Sequence, residues 1–146
     1  MGSKTYKRIL VATDGSENVK NAIDWSVELA RVTGAQLFAI YVISDVDVGL
    51  ATRGANWAEA LKEHLKEEGN RAIKYVEDKA KKAGVEVEAV IIEGNPTDAI
   101  LKYAENNGIE LIVIGTLGKR GIKRFLLGSV AENVVRHSTK PVLVVP

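Results

Sequence analysis

The sequence predicts an α/β fold: an open, parallel five-stranded sheet with helices on both faces. Apolar runs that suit buried strands alternate with stretches of helical periodicity over all 146 residues. Strand–helix–strand units of this kind cross over in the right-handed sense and place parallel strands side by side. Because no internal repeat, low-complexity tract or linker interrupts this alternation, residues 1–146 are expected to form a single domain.

The first half of the chain contains two predicted strands and one predicted helix. Residues 9–12 form a short apolar run that ends in a Thr-Asp-Gly-Ser turn, which is typical of a buried strand and its exit. The next stretch ends at Gly34, a common helix terminator, and its apolar positions share one helical face: Val19, Ile23, Val27 and Ala30. Residues 35–44 are apolar except for Gln36 and Ser44, as expected of a strand buried on both faces.

The second half continues the same alternation. A long amphipathic helix is predicted over about residues 57–83, with Gly69 as a locally unfavourable position inside it and five inward residues: Leu61, Leu65, Ala72, Val76 and Ala80. A third strand follows over 85–92. Asn95 and Pro96 suit the first turn of a helix that ends at Gly108. A fourth strand over 109–116, a glycine-rich loop, a helix over 130–138 and a fifth strand over 140–146 complete the chain.

Composition excludes several classes of function. The chain has no cysteine, which rules out disulfides, thiolate chemistry and cysteine-based zinc sites. Its net charge of +1 gives no reason to expect nucleic acid or an anionic membrane as a partner. No apolar run approaches the length of a membrane span, so a cytoplasmic location is expected.

Only two of the predicted strand exits have unusual chemistry. One is the turn at 13–16, and the other is the loop that begins at Gly115. Open parallel sheets bind ligands outside the carboxyl ends of their strands, at the point where the strand order reverses. If the first and fourth strands are neighbours, both exits open into one crevice, which is then the expected site.

The loop after the fourth strand suits a phosphate group. Glycines let backbone amides turn towards an anion and approach it closely. Gly128 and Ser129 lie where the next helix is expected to begin, so the helix dipole points into the crevice and the serine can add a hydroxyl donor. The usual phosphate loops are absent: neither G-x-x-x-x-G-K-[ST] nor G-x-G-x-x-G follows a predicted strand.

The glycines instead fit the pattern G-x2-G-x9-G-[ST], formed by Gly115, Gly118, Gly128 and Ser129. With this motif the chain closely resembles the ATP-binding branch of the universal stress protein family. The resemblance covers essentially the full length, including "ILVATDGSENVKNAIDWSVELA", "EGNP" and "LLGSVAENVVRHSTKPVLVV". It implies a Rossmann-like (nucleotide-binding α hydrolase-like) sheet of order 3-2-1-4-5, in which the first and fourth strands are neighbours.

The resemblance also implies a ligand and its contacts. Adenine nucleotide, as ATP with Mg²⁺, is the expected ligand, and Asp14 corresponds to the acidic residue near ribose, phosphate and metal. Ala12 and Thr13 correspond to the adenine side, and Val42 to the strand-two position whose backbone reads the adenine edge. The implied ribose and phosphate cradle comprises Gly115, Gly118, Gly128, Ser129 and Val130, with Lys119 and Arg120 in the variable stretch. A homodimer through residues 141–146 is implied as well.

Several of these residues also have a purely structural explanation that involves no ligand. An isolated Gly115–Gly118 pair makes a tight turn, Asp14 is a common turn former, and Lys119, Arg120, Lys123 and Arg124 suit a solvated loop face. His64 and His137 have no evident acidic or nucleophilic partner in the sequence, so both are assigned surface or structural roles.

The sequence therefore predicts an ATP-binding stress-response sensor or switch, and no catalytic residue is assigned. One alternative is a slow Mg²⁺-dependent ATPase or phosphotransferase that uses Asp14. A second is a structural dimer that binds no nucleotide, an alternative that the glycine motif disfavours. The downstream protein partner and the triggering stress are not indicated by any motif.

Overall fold

The computed structural model describes residues 6–45, 58–116 and 127–146. Strands and helices alternate as predicted, with a short 3₁₀ turn at Glu17–Val19 before the first helix. The elements are β1 (Arg8–Thr13), α1 (Lys20–Thr33), β2 (Gln36–Ser44), α2 (Ala58–Lys82), β3 (Val87–Gly94), α3 (Pro96–Asn106), β4 (Leu111–Gly115), α4 (Ser129–His137) and β5 (Val142–Val145).

The five strands form one parallel sheet of order β3-β2-β1-β4-β5, which confirms the predicted topology. β1 lies at the centre, between β2 and β4, and its pairing with β4 places Ile9 opposite Leu111 and Val11 opposite Val113. The strand order reverses at this pair, because β2 and β3 extend to one side and β4 and β5 to the other. The carboxyl ends of β1 and β4 therefore border a switch-point crevice.

Two apolar clusters cover the two faces of the sheet. Ile9 and Val11 face the side of α1 and α2, whereas Leu10 and Ala12 face the side of α3 and α4. All four are buried, because successive side chains of a central strand point to opposite layers and both layers are covered by helices. The continuous apolar runs of the sequence follow from this arrangement.

Local signals set the helix ends. The Oδ1 atom of Asn95 accepts a hydrogen bond from the Asp98 amide at 3.1 Å, which caps α3 one residue before Pro96. Gly34 follows α1 with φ of 75°, and Gly108 follows α3 with φ of 61°. These left-handed conformations favour glycine, so the predicted terminators are confirmed.

α2 packs on the sheet through a close approach at Gly69. Its Ala72, Val76 and Ala80 side chains are buried, as predicted. A Cβ atom on Gly69 would lie 3.0 Å from Cδ1 of Tyr41 and 3.2 Å from Cδ1 of Ile91. The glycine that weakens the helix prediction therefore allows a close approach of α2 to β2 and β3.

No helix in the described ranges is long and apolar enough to cross a membrane. Residues 45–56 are polar and contain glycine, which predicts a loop between β2 and α2; except for Asp45, they lie outside the described residues, as does Trp57, the predicted start of the helix.

We predict that Gly69→Ala lowers the free energy of unfolding by about 1–3 kcal/mol, the usual range for overpacking a core. At a solvent-exposed helix position the same change would stabilise the folded protein by roughly 1 kcal/mol, since alanine is the better helix former. Here the methyl group meets the ring of Tyr41, which is only 3% exposed and has little room to move. Urea unfolding measures the difference.

Asn70→Ala, at the next and exposed position of α2, is the matched control and is expected to be neutral or slightly stabilising. A Gly69→Ala variant more stable than the unchanged protein would contradict the close approach.

Candidate functional site

The candidate site lies at the carboxyl edge of the sheet, where β1 and β4 end side by side. The turn after β1 forms one wall, and the N-terminus of α4 forms the other. This is the arrangement that the sequence predicted from its two unusual strand exits.

The turn after β1 is braced by its own side chains. The Thr13 hydroxyl accepts a hydrogen bond from the Gly15 amide at 3.1 Å, and Oδ1 of Asp14 accepts one from the Ser16 amide at 2.9 Å. Gly15 has φ of 76°, and a Cβ atom there would lie 3.3 Å from the Cβ of Ala72 in α2. Asp14 is therefore a turn former, and the braced turn fixes where its half-buried carboxylate stands.

The other wall is the start of α4. Gly115 is buried at the end of β4, and the carbonyl of the next residue, Thr116, accepts a hydrogen bond from the Gly128 amide at 2.6 Å. This bond ties the two ends of the glycine-rich loop together and leaves Gly128 as the N-cap of α4. The sequence did not indicate Thr116, because a backbone carbonyl leaves no residue-type signal.

The first amides of α4 are the donors of the site. A helix leaves its first N–H groups without intrahelical partners, and no side chain caps α4. Ser129, Val130 and Ala131 have no amide hydrogen bond within the described part of the chain. The Gly128 amide, which the sequence assigned to the phosphate cradle, is occupied by Thr116, so the free donors begin one residue later.

Apolar residues flank these donors on the α3–α4 face of the sheet. Ala12, at the end of β1, is buried there, and Val42 of β2 is half-buried in the same cluster. Thr13 points to the other layer and is 5% exposed. Ala12 and Val42 thus provide an apolar surface beside the polar strand exits, while Thr13 serves the turn.

Three predicted contacts, Gly118, Lys119 and Arg120, lie outside the described residues. No cluster of three or more His, Cys, Asp or Glu side chains suited to a metal is found in 6–45, 58–116 and 127–146. A Mg²⁺ ion at Asp14 would therefore need phosphate oxygens and water as further ligands, which is how this ion is usually bound with nucleotides.

Two charged side chains beside the turn pair with each other. Glu17 and Lys20 form an exposed ion pair at 2.7 Å, and this hydrogen bond raises the pKa of Lys20. The expectation that His64 has no acidic partner was wrong, because an oxygen of Glu68, one helical turn later, lies 3.2 Å from its Nε2 atom; the surface role is confirmed by its 55% exposed side chain. The i, i+4 spacing on a helix was the overlooked signal.

Comparison with known proteins places this architecture in a family. The family model described as "Universal stress protein family" matches residues 5–146. Universal stress protein MJ0531 of Methanocaldococcus jannaschii is 43% identical over 146 residues, which cover 99% of this chain and 84% of the relative. Universal stress protein YxiE of Bacillus subtilis is 33% identical, with 96% of this chain and 99% of the relative covered.

Solved structures agree with this result. The structure of MJ0577 of Methanocaldococcus jannaschii matches with a TM-score of 0.84 at 33% identity, covering 97% of this chain and 96% of that one. A universal stress protein in complex with cAMP matches with a TM-score of 0.71 at 27% identity, covering 97% and 98%. With the family model spanning nearly the whole sequence and relatives above 30% identity, this chain belongs to the universal stress protein family.

Proposed function

We propose that this protein binds ATP in the crevice between the β1 turn and α4, and that it acts as a nucleotide-dependent sensor or switch in the stress response. The observation that carries the proposal is the N-terminus of α4 at the strand-order reversal, where the amides of Ser129, Val130 and Ala131 have no acceptor among the described residues. A helix N-terminus at such a position favours phosphate through its N–H groups and its dipole.

The family relationship supports an adenine nucleotide as the ligand. One structural neighbour of the same family is a complex with cAMP. In this chain, the apolar surface of Ala12 and Val42 suits an adenine ring, with the Val42 backbone at its edge and Thr13 beside it. The ribose and phosphates would then extend towards the rest of the proposed cradle: Gly115, Gly118, Lys119, Arg120, Gly128, Ser129 and Val130.

Asp14 is proposed to contact the ribose or a Mg²⁺ ion on the phosphates. Its Oδ1 atom holds the turn, and a carboxylate has capacity for further partners on its second oxygen. Bound Mg²⁺ would neutralise phosphate charge. Because most recognisable donors lie on the phosphate side, ATP is expected to bind at least about tenfold more tightly than AMP.

Two substitutions at one position test the role of the α4 amides. Ser129→Pro removes an amide donor and the hydroxyl but keeps the helix, because proline is well tolerated at the first helical position. The preceding Gly128 has ψ of 156°, a conformation compatible with a following proline. We expect calorimetry to show a loss of ATP affinity of about tenfold or more for Ser129→Pro.

Ser129→Ala is the matched control, since it removes the hydroxyl alone, and it should lose less affinity than Ser129→Pro. A folded Ser129→Pro variant that binds ATP like the unchanged protein would show that these amides do not hold the phosphates.

Slow turnover is part of the proposed function. Rapid ATP hydrolysis needs a residue that orients water, in addition to metal and a cation at the developing charge. Of the two carboxylates in and directly after the β1 turn, Asp14 holds the turn and Glu17 is paired with Lys20. We therefore propose a long-lived ATP complex, located in the cytoplasm, whose state is read by another protein.

A homodimer through residues 141–146 is proposed as well. β5 ends the strand order, and its Val142, Leu143 and Val144 side chains are only partly buried. An apolar edge strand without charges favours pairing with a second copy. The Asn21 side chain donates a hydrogen bond to the Pro146 carbonyl at 2.8 Å, which holds the end of this strand against α1.

Val144→Pro tests the strand contact. The carbonyls of Pro141 and Val145 accept hydrogen bonds from the amides of Ile112 in β4 and of Thr116 directly after it. The alternate residue Val144 therefore directs its amide to the open edge. We expect a dimer for the unchanged protein by light scattering at micromolar concentration, and a folded monomer for Val144→Pro. A monomeric unchanged protein would refute the dimer, and a dimeric Val144→Pro variant would place the interface elsewhere.

A further inference from the structure

An exposed apolar strip runs along one flank of α1. Trp25 and Val32 are 50% and 60% exposed, and Leu29 between them is only partly buried. Spacings of four and three residues place these side chains on one side of the helix, and the three residues form the α1 strip. Single apolar residues on a surface are normal, whereas a contiguous apolar patch indicates an interaction surface.

Contacts of neighbouring residues show which way the α1 strip faces. On one flank α1 meets α2, where Oδ1 of Asp24 lies 3.5 Å from Nζ of Lys79. On the other flank, the Asn21 side chain donates its hydrogen bond to the carbonyl of Pro146, directly after β5. Trp25 follows Asn21 by one helical turn. The α1 strip therefore faces β5, the edge of the sheet.

β5 adds apolar surface beside the α1 strip. It is the last strand in the order, and no strand of the described residues pairs with its outer edge. Its Leu143 side chain lies on the α1 face of the sheet and is only partly buried. Among the described helices, α2 lies on the other flank of α1, and α3 and α4 cover the opposite face. The α1 strip and Leu143 thus form one open apolar surface at the edge of the sheet.

The length of β5 indicates that strand pairing alone is too small for a stable dimer. A typical stable interface buries about 800 Å² on each partner and involves roughly 20–30 residues a side. The edge strand contributes only the four residues Val142–Val145. Further apolar surface beside the edge is needed, and the α1 strip supplies it on the same side of the molecule.

A second copy paired antiparallel through β5 would bring the α1 strip opposite itself. Two antiparallel edge strands are related by a two-fold axis perpendicular to the sheet, which keeps each face of the sheet on its own side. The two α1 helices then lie on the same face, one on each side of the β5 pair.

The distance between these helices explains why a large side chain is required. α1 lies over β1 and β4, so the β5 strands of both copies separate the two helices. At about 4.8 Å per strand, this separation exceeds the roughly 8–10 Å of helices in direct contact. Tryptophan, the largest side chain, is suited to fill the space above the strand pair.

We propose that the α1 strip is part of the interface between two copies of this chain, with Trp25 packed over the β5 pair onto Leu143 of the second copy. This inference rests on the proposed homodimer through residues 141–146 and assigns it a second contact surface. Tryptophan is enriched among the few residues that dominate the affinity of an interface. Much of the dimer affinity is therefore assigned to Trp25 rather than to the strand.

Trp25→Gln and Val32→Gln test the contact. Both positions are at least half exposed and glutamine is a good helix former, so both variants are expected to fold. We expect analytical ultracentrifugation to show a dimer Kd raised by about tenfold or more for Trp25→Gln, and by less for Val32→Gln. Asp24→Asn is the matched control, because it changes the neighbouring residue on the α2 flank, and it should leave the Kd unchanged.

The fluorescence of Trp25 reports the same contact without removing it. Trp57→Phe leaves Trp25 as the single tryptophan of the chain. Its emission should move to shorter wavelength as the dimer forms with rising concentration. Addition of Val144→Pro, which is expected to give a monomer, should abolish this shift.

The α1 contact is overturned if Trp25→Gln and Val32→Gln dimerise with the affinity of the unchanged protein, or if Trp25 emission is the same in dimer and monomer. If the unchanged protein is nevertheless a dimer that Val144→Pro dissociates, the strand contact of the proposed function survives, so the two failures are distinguishable. An unchanged protein that stays monomeric overturns both.

Discussion

The hydrogen-bonded pairing of β1 with β4 is the contact on which the candidate site depends. These strands are far apart in the sequence, and the chain passes through α1, β2, α2, β3 and α3 between them. Because the helices that follow β1 and β4 lie on opposite faces, their first residues diverge and leave a crevice between them. Any change that separates β1 from β4 would remove the crevice while leaving each wall locally intact.

The hydrogen bonds that fix the two walls of the crevice also occupy some of the polar groups of the site. The side chains of Thr13 and Asp14 accept hydrogen bonds from backbone amides of their own turn. Gly15, which has no side chain, allows that turn to pack closely on Ala72 of α2. On the other side, the Thr116 carbonyl accepts a hydrogen bond from the Gly128 amide. The donors that remain are those that the helix geometry of α4 leaves unpaired, so binding capacity arises from backbone position more than from reactive side chains. This suits a protein that holds a ligand without rapid chemistry.

Much of the fold was readable from the sequence, because its signals are local. The apolar runs of β1 and β2, the Asn95–Pro96 start of α3 and the glycine after α1 each specify a conformation through neighbouring residues. The strand order was not readable in this way and came from the family resemblance, since no local pattern states that β4 pairs with β1. The role of Gly69 was hidden for the same reason: it depends on Tyr41 and Ile91, which reach α2 only through the tertiary fold. The occupied Gly128 amide likewise requires distant segments to meet.

The most direct measurement of the central claim is an amide NMR titration with ATP, which reports where the nucleotide lies without altering the chain. The account predicts the largest shifts at Ser129, Val130 and Ala131 and at Asp14, on the two walls of the crevice. Gly34 and Gly84, which terminate α1 and α2 at the opposite edge of the sheet, should be unchanged. Shifts concentrated away from the start of α4, or none at saturating ATP, would contradict it.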